Sequence, residues 1–113
     1  MNAEQMKFSD VYMMLIKKAE RKGRNKLEVM QLTSWLTGWS IKEIEEAMKS
    51  DMTYGSFFIN APKMNPDASK IKGKVCGIEV SEIQDPLMQK IRWLDKLVDD
   101  LAKGKPIEKI LPQ

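Results

Sequence analysis

Reactive side chains are few in this sequence, and the first to consider is the single cysteine, Cys76. The chain contains no histidine, which excludes a Ser-His-Asp triad, a Cys-His pair and every histidine metal site. A nucleophilic cysteine needs a neighbour that lowers its pKa, and Lys72 and Lys74 are the only cations close to Cys76 in sequence. We therefore predict that Cys76 is a buried core residue. A ligand-binding protein or enzyme with a site near Cys76 is kept as an alternative.

Three carboxylates, Glu79, Glu82 and Asp85, lie close together before the last long predicted helix. A pair of them could bind a hard cation or act as acid and base. Acids are also favoured at helix N-termini, and Asp85 occupies a capping position. We favour this structural role, and we predict no catalytic residue, no metal ligand and no cofactor.

A basic cluster occupies residues 17–26, where six cations are accompanied by one acid. Its members are Lys17, Lys18, Arg21, Lys22, Arg24 and Lys26. Such a cluster could contact the phosphates of a nucleic acid weakly and without sequence preference. Cations also gather at helix C-termini because the macrodipole favours them there, and we prefer this interpretation. A nucleic-acid-binding accessory protein is therefore an alternative function.

Two short predicted helices meet at residues 38–40, which is the arrangement of a helix-turn-helix. A recognition helix must bring its first residues past the phosphates to the base edges. The second helix carries Glu43, Glu45 and Glu46, which the phosphates would repel. We expect a plain helical hairpin.

Helices must position these side chains, and capping residues and glycines mark where the helices begin and end. The predicted helices are residues 10–22 after a Ser9 cap, a helix from Asn25 to the Gly38 stop, one after Ser40, a short one after Thr53, a long one from Asp85 to Gly104, and a final turn over residues 107–111. Residues 60–69 are predicted to form a loop. Residues 71–80 hold β-branched side chains and two glycines, which predicts a short β-hairpin.

The core is predicted from apolar residues at helical spacing. It comprises Leu15, Leu32, Leu36, Ile44, Phe57, Leu87, Ile91, Leu94, Val98 and Leu101. The last long helix also carries Met88, Trp93 and Leu97, so its apolar surface extends over more than one face. We expect the rest of the chain to cover both faces. If it does not, a homodimer forms through this helix, with Trp93 as the partner anchor.

Composition predicts a single domain over residues 1–113, with residues 1–8 as a loosely ordered N-terminus. Of the 113 residues, 42% are hydrophobic and 31% are charged, and the net charge is +3. These values are those of an ordinary globular domain. No apolar run approaches the roughly 18 residues that a membrane span requires. The absence of a signal-peptide pattern and of a second cysteine predicts a cytoplasmic location.

Several blocks of the sequence are similar to a known family. They are SWLTGWS at 34–40, CGIEV at 76–80, DPLMQ at 85–89 and the tail from Leu94 to Leu111. These blocks resemble the bacterial domain of unknown function 2200 family, and the resemblance covers nearly the whole chain. It implies a bacterial, cytoplasmic, stand-alone domain, and it brings no activity, cofactor or catalytic residue.

Together these observations predict a mainly α-helical domain of five to six helices with a short hairpin. The leading functional hypothesis is an interaction or regulatory module without catalysis.

Overall fold

The computed structural model describes residues 3–112, and its α-helices begin and end close to the predicted capping residues. The helices are α1 (Phe8–Arg21), α2 (Lys26–Thr37), α3 (Ile41–Met48), α4 (Tyr54–Ile59), α5 (Pro86–Ala102) and α6 (Ile107–Ile110). Short 3₁₀ helices cover Ala3–Gln5, Pro66–Lys70 and Val80–Glu82. The mainly α-helical class with six helices is confirmed. The loop predicted over residues 60–69 is only partly correct, because its last residues belong to the second 3₁₀ helix.

Local hydrogen bonds explain why α2 and α3 begin where they do. The Asn25 side chain accepts from the Glu28 backbone N–H (2.9 Å), and the Glu28 carboxylate accepts from the Asn25 backbone N–H (3.0 Å). Ser40 and Glu43 repeat this reciprocal pair at 3.1 and 2.9 Å. Each capping box satisfies two backbone donors that a helix start leaves without partners.

The first helix begins two residues earlier than predicted, and Ser9 is not its cap. Lys7 is the N-cap and makes no side-chain capping bond, while Phe8 opens the helix. Two contacts to another segment hold the chain at the N-terminal end of this helix. The Phe8 backbone N–H donates to the Met52 carbonyl (2.8 Å), and Lys7 pairs with Thr53 in an antiparallel bridge. The Phe8 ring is fully buried and stacks on Phe57 at 4.0 Å between ring centroids. Tertiary packing therefore sets this helix start.

Residues 1 and 2 of the predicted N-terminal segment lie outside the described residues. Of the remainder, Ala3–Gln5 form a 3₁₀ helix, and the Met6 carbonyl accepts from the Tyr54 backbone N–H at 2.8 Å. None of the described helices is both long and apolar enough to cross a membrane.

The predicted hairpin is present, and its turn corrects the prediction for Cys76. Strands β1 (Lys74–Val75) and β2 (Ile78–Glu79) pair antiparallel, with Val75 opposite Ile78. Cys76 (φ 53°) and Gly77 (φ 79°) form the two-residue loop, and positive φ at both positions is what a type I′ turn requires. Cys76 is exposed rather than buried, because the residues of such a loop project away from the sheet.

Helix α5 lies at the centre of the fold and contacts α1, α2, α4, β1 and α6. Nine of the ten predicted core residues are buried, and Leu87 is partly buried against them. Leu97, on the second apolar face of α5, is 1% exposed. Met88 and Trp93 are partly buried against the core. The chain itself therefore covers much of both faces of α5.

Candidate functional site

A cleft of about 240 Å³ lies between α3 and the segment from Met52 to Phe57. Its lining is Trp39, Glu43, Glu46, Ala47, Ser50, Met52 and Phe57. Apolar side chains make up most of this set, and its polar members are two carboxylates and one hydroxyl. None of these seven described residues is a cation, so the lining carries only negative charge.

Trp39 is held at the cleft by two hydrogen bonds. Its indole N–H donates to the Phe57 carbonyl at 3.0 Å, and its backbone N–H donates to the Thr37 hydroxyl at 3.2 Å. The Trp39 and Phe57 rings lie 5.8 Å apart between centroids. Phe57 is fully buried and stacks on Phe8, so it belongs to the rigid core. The aromatic wall of the cleft is therefore formed in advance of any ligand.

The acidic side of the cleft comes from the spacing of residues along α3. Glu43, Glu46 and Ala47 follow at intervals of three and one residues, which places them on one helix face, and Ser50 lies two residues past the end of α3. One oxygen of Glu43 accepts the capping bond from Ser40. The exposed carboxylate of Glu46 has no hydrogen-bond or ion-pair partner within residues 3–112. Two carboxylates thus border an apolar cleft, and one of them is available to a ligand.

The predicted basic cluster lies at one end of the molecule, where α1 ends, α2 begins and α5 ends. We call this region, residues 17–26 with residues 96–105, the basic end. The Lys18 ammonium donates to Asp99 at 3.1 Å, and Lys103 contacts the same carboxylate at 3.0 Å. Burial acts to raise the pKa of Asp99, but hydrogen bonds from Lys103 and Lys18 hold that pKa below its usual value. These cations therefore compensate an acid of the protein itself.

Arg24 joins the three helix ends of the basic end. Its guanidinium donates to Glu28 through Nε (3.1 Å) and Nη2 (2.6 Å), and its Nη1 donates to the carbonyls of Leu101 (3.1 Å) and Lys105 (2.8 Å). The hydrogen bond from Arg24 lowers the pKa of Glu28 below its ordinary value. The Leu101 carbonyl lies in the last turn of α5, where cations stabilise the helix dipole, and Lys105 follows three residues after the helix ends. Arg24 is a structural residue here.

Four cations of the predicted phosphate set remain exposed: Lys17, Arg21, Lys22 and Lys26. No acid within residues 3–112 forms an ion pair with any of them. The other two, Lys18 and Arg24, are engaged as described above. The fold therefore divides the cluster into a structural pair and an exposed set of four.

A family model described as an uncharacterized protein conserved in bacteria, DUF2200, matches residues 2–112. The chain belongs to this family. A crystal structure of the uncharacterized protein SP1917 is similar to this chain, with 50% sequence identity and a TM-score of 0.93; the match covers 96% of this chain and 89% of that chain. No curated protein matches the chain. The resemblance predicted from the sequence blocks is confirmed, and function has to be argued from the site.

Two of the three acids that precede α5 in this DUF2200 chain accept hydrogen bonds from the backbone. The Glu79 carboxylate accepts from the backbone N–H groups of Gly73 (2.9 Å) and Ser81 (3.1 Å), which lowers its pKa. Asp85 accepts from the Met88 backbone N–H at 3.1 Å and caps α5. Within residues 3–112, no group of three or more Cys, Asp and Glu residues is placed to hold a metal ion.

Trp93 is partly buried at the margin of the core, and the ion pair between Arg92 and Asp95 lies next to it along α5. Arg92 donates to Asp95 at 3.2 Å, and burial raises the pKa of Asp95 against the opposing effects of Arg92 and Lys18.

The hydroxyl of Tyr54 is fully buried without a hydrogen-bond partner in the described part of the chain. Burial raises the pKa of this hydroxyl well above its usual value.

Sequence reasoning missed the cleft, although a signal was present. The sequence pattern places Trp39 at the junction of two helices, and the acids of α3 count there only against DNA binding. Glu43, Glu46 and Ala47 share one face of α3, and Trp39 immediately precedes the helix cap. An aromatic residue next to two acids on one helix face is a pattern that could have indicated the site.

Proposed function

We propose that this protein is a non-catalytic interaction module that binds a partner protein through the cleft. The observation that carries the proposal is the combination of a preformed apolar lining with the unpartnered carboxylate of Glu46. Exposed apolar surface bordered by polar groups is typical of sites where proteins meet. The cleft is smaller than the roughly 300–1,000 Å³ of small-molecule sites, which favours a side chain of a partner over a whole metabolite.

The test is a selection of peptides from a random display library against the wild-type chain and two charge-reversal variants. Glu46→Arg changes the cleft. Glu45→Arg is the matched control, because Glu45 is the preceding exposed residue of α3 and lines a separate depression with Lys26, Met48 and Lys49. We expect the wild type and the Glu45 variant to enrich the same peptides, and the Glu46 variant to lose them. All three proteins should melt at similar temperatures, since both sites are exposed.

Equal enrichment by both variants would contradict the proposal. So would selected peptides that shift the backbone NMR signals of another surface and leave those of Ala47 and Ser50 unchanged.

The four exposed cations of the basic end support a second candidate function, a weak contact with nucleic-acid phosphates. The logarithm of affinity should then fall with the logarithm of salt concentration with a slope no steeper than about −3.6, because at most four phosphates are neutralised. Replacing Lys17, Arg21 and Lys22 with glutamine should abolish binding. Sequence-selective or salt-insensitive binding would contradict this mechanism.

A further inference from the structure

We propose that the group bound in the cleft is an arginine side chain of the partner protein. This inference rests on the proposed function, since it names the chemistry that the cleft recognises.

The negative charge of the cleft lining favours a cation as the bound group. Its lining contains Glu43 and Glu46 and no cation. One oxygen of Glu43 accepts the Ser40 capping bond, and the Glu46 carboxylate has no partner among residues 3–112. A cationic group entering the cleft would pair with both acids, whereas an anionic group would be repelled and a neutral one would leave the acids uncompensated.

The composition of the lining favours a guanidinium over an ammonium. A planar guanidinium stacks on an aromatic ring and binds a carboxylate with two parallel hydrogen bonds, while an ammonium is a strongly hydrated point charge. The hydrogen bond to Phe57 holds the Trp39 indole at the wall of the cleft. Met52, which is partly exposed at the cleft, supplies apolar surface for the methylene stem of an arginine.

A residue within a protein chain fits better than the free amino acid. Free arginine carries an α-ammonium and an α-carboxylate, and the seven lining residues offer the carboxylate no cation. Glu43 and Glu46 would repel that carboxylate, and the α-ammonium would compete with the guanidinium for the same two acids. An arginine flanked by peptide bonds lacks both charges, so a protein segment avoids the repulsion and the competition.

The experiment is an NMR titration of the full chain labelled with ¹⁵N. The probes are N-acetyl-arginine N-methylamide, its neutral citrulline counterpart and free arginine. The signals to follow are the Trp39 indole N–H and the backbone amides of Ala47 and Ser50. We expect the blocked arginine to move these signals, the citrulline probe to leave them in place, and free arginine to bind more weakly than the blocked form.

Two isosteric variants sharpen the result. Glu46→Gln should weaken binding of the blocked arginine by about two- to fivefold, as expected for one exposed ion pair. Glu45→Gln, outside the cleft, should leave it unchanged. Equal binding of citrulline would overturn the role of charge, and tighter binding of free arginine would overturn the assignment to a protein segment.

The two proposals fail differently. If selected peptides bind at the cleft but contain no arginine and the blocked arginine does not bind, this inference is wrong and the proposed function stands. If neither the probe nor any selected peptide moves the cleft signals, both are wrong.

Discussion

The basic end and the cleft both carry clustered charges, but those charges have different surroundings. In the basic end, Lys18 pairs with the distant Asp99, and Arg24 bonds to the nearby Glu28 and to the distant Leu101 carbonyl. In the cleft, Glu46 faces an apolar space with no partner among the described residues. Two of the six cations in the denser cluster are thus used for stability and four stay exposed, whereas Glu46 in the sparser cluster has no partner among the described residues. Charge density alone is a poor guide to function, because the partners of each charge decide its role.

The buried ion pair between Lys96 and Asp100, within the basic end, offers the largest expected effect. The Lys96 ammonium donates to Asp100 at 2.8 Å, and their side chains are 10% and 12% exposed. Lys96→Met keeps the apolar stem but leaves Asp100 with only the more distant Lys105, at 3.6 Å. We expect a loss of about 2–3 kcal/mol of unfolding free energy in urea titrations.

The double variant Lys96→Met, Asp100→Leu tests the cause of that loss. If the loss comes from the uncompensated acid, replacing both partners with apolar residues should recover most of the stability. A double variant that is less stable than the single one would show that packing around Lys96 dominates.

Arg24→Ala should have the second largest effect, about 1–2 kcal/mol. The substitution removes the ion pair with Glu28 and the bonds to the Leu101 and Lys105 carbonyls, although the Leu101 carbonyl keeps its bond from the Gly104 backbone N–H. Arg24→Lys should recover less than half of the loss, because an ammonium cannot reach three partners in fork geometry.

The matched change in the cleft, Glu46→Gln, should alter the unfolding free energy by less than about 0.5 kcal/mol. Similar losses of unfolding free energy at Arg24 and Glu46 would contradict the contrast between structural charges in the basic end and an unpaired charge in the cleft.

The pH dependence of stability should carry the smallest signal. Since the folded pKa of Glu28 is lowered, its contribution is present above its unfolded pKa, ordinarily about 4.3, and is lost as pH falls through the folded pKa. The stability difference between wild type and Glu28→Gln should therefore be largest near neutral pH and shrink in acid.

Asp95→Asn is the control of opposite sign, because burial raises the pKa of Asp95 and ionisation costs stability there. The asparagine variant should gain on the wild type at neutral pH and lose that advantage in acid.

Much of the fold could be predicted because its signals are local. The capping boxes at Asn25 and Ser40 join residues three apart, and Gly23, Gly38 and Gly104 adopt the positive φ that ends a helix. The apolar spacing in α5 identified its buried face. The errors fall where distant segments decide. Phe8 belongs to α1 because it packs against Phe57, and Cys76 is exposed because the strands on either side of it pair.

The sequence by itself determined the helices, the hairpin and the family, since each depends on hydrogen bonds and periodicities that span a few residues. Only the tertiary structure decided which charges are available. Lys18 meets Asp99 across 81 positions of the chain, and Arg24 meets the Leu101 carbonyl across 77. The cleft likewise joins distant positions, since the indole of Trp39 bonds to the backbone of Phe57, 18 positions away. Such contacts depend on how the helices pack around α5, and no local pattern specifies that arrangement.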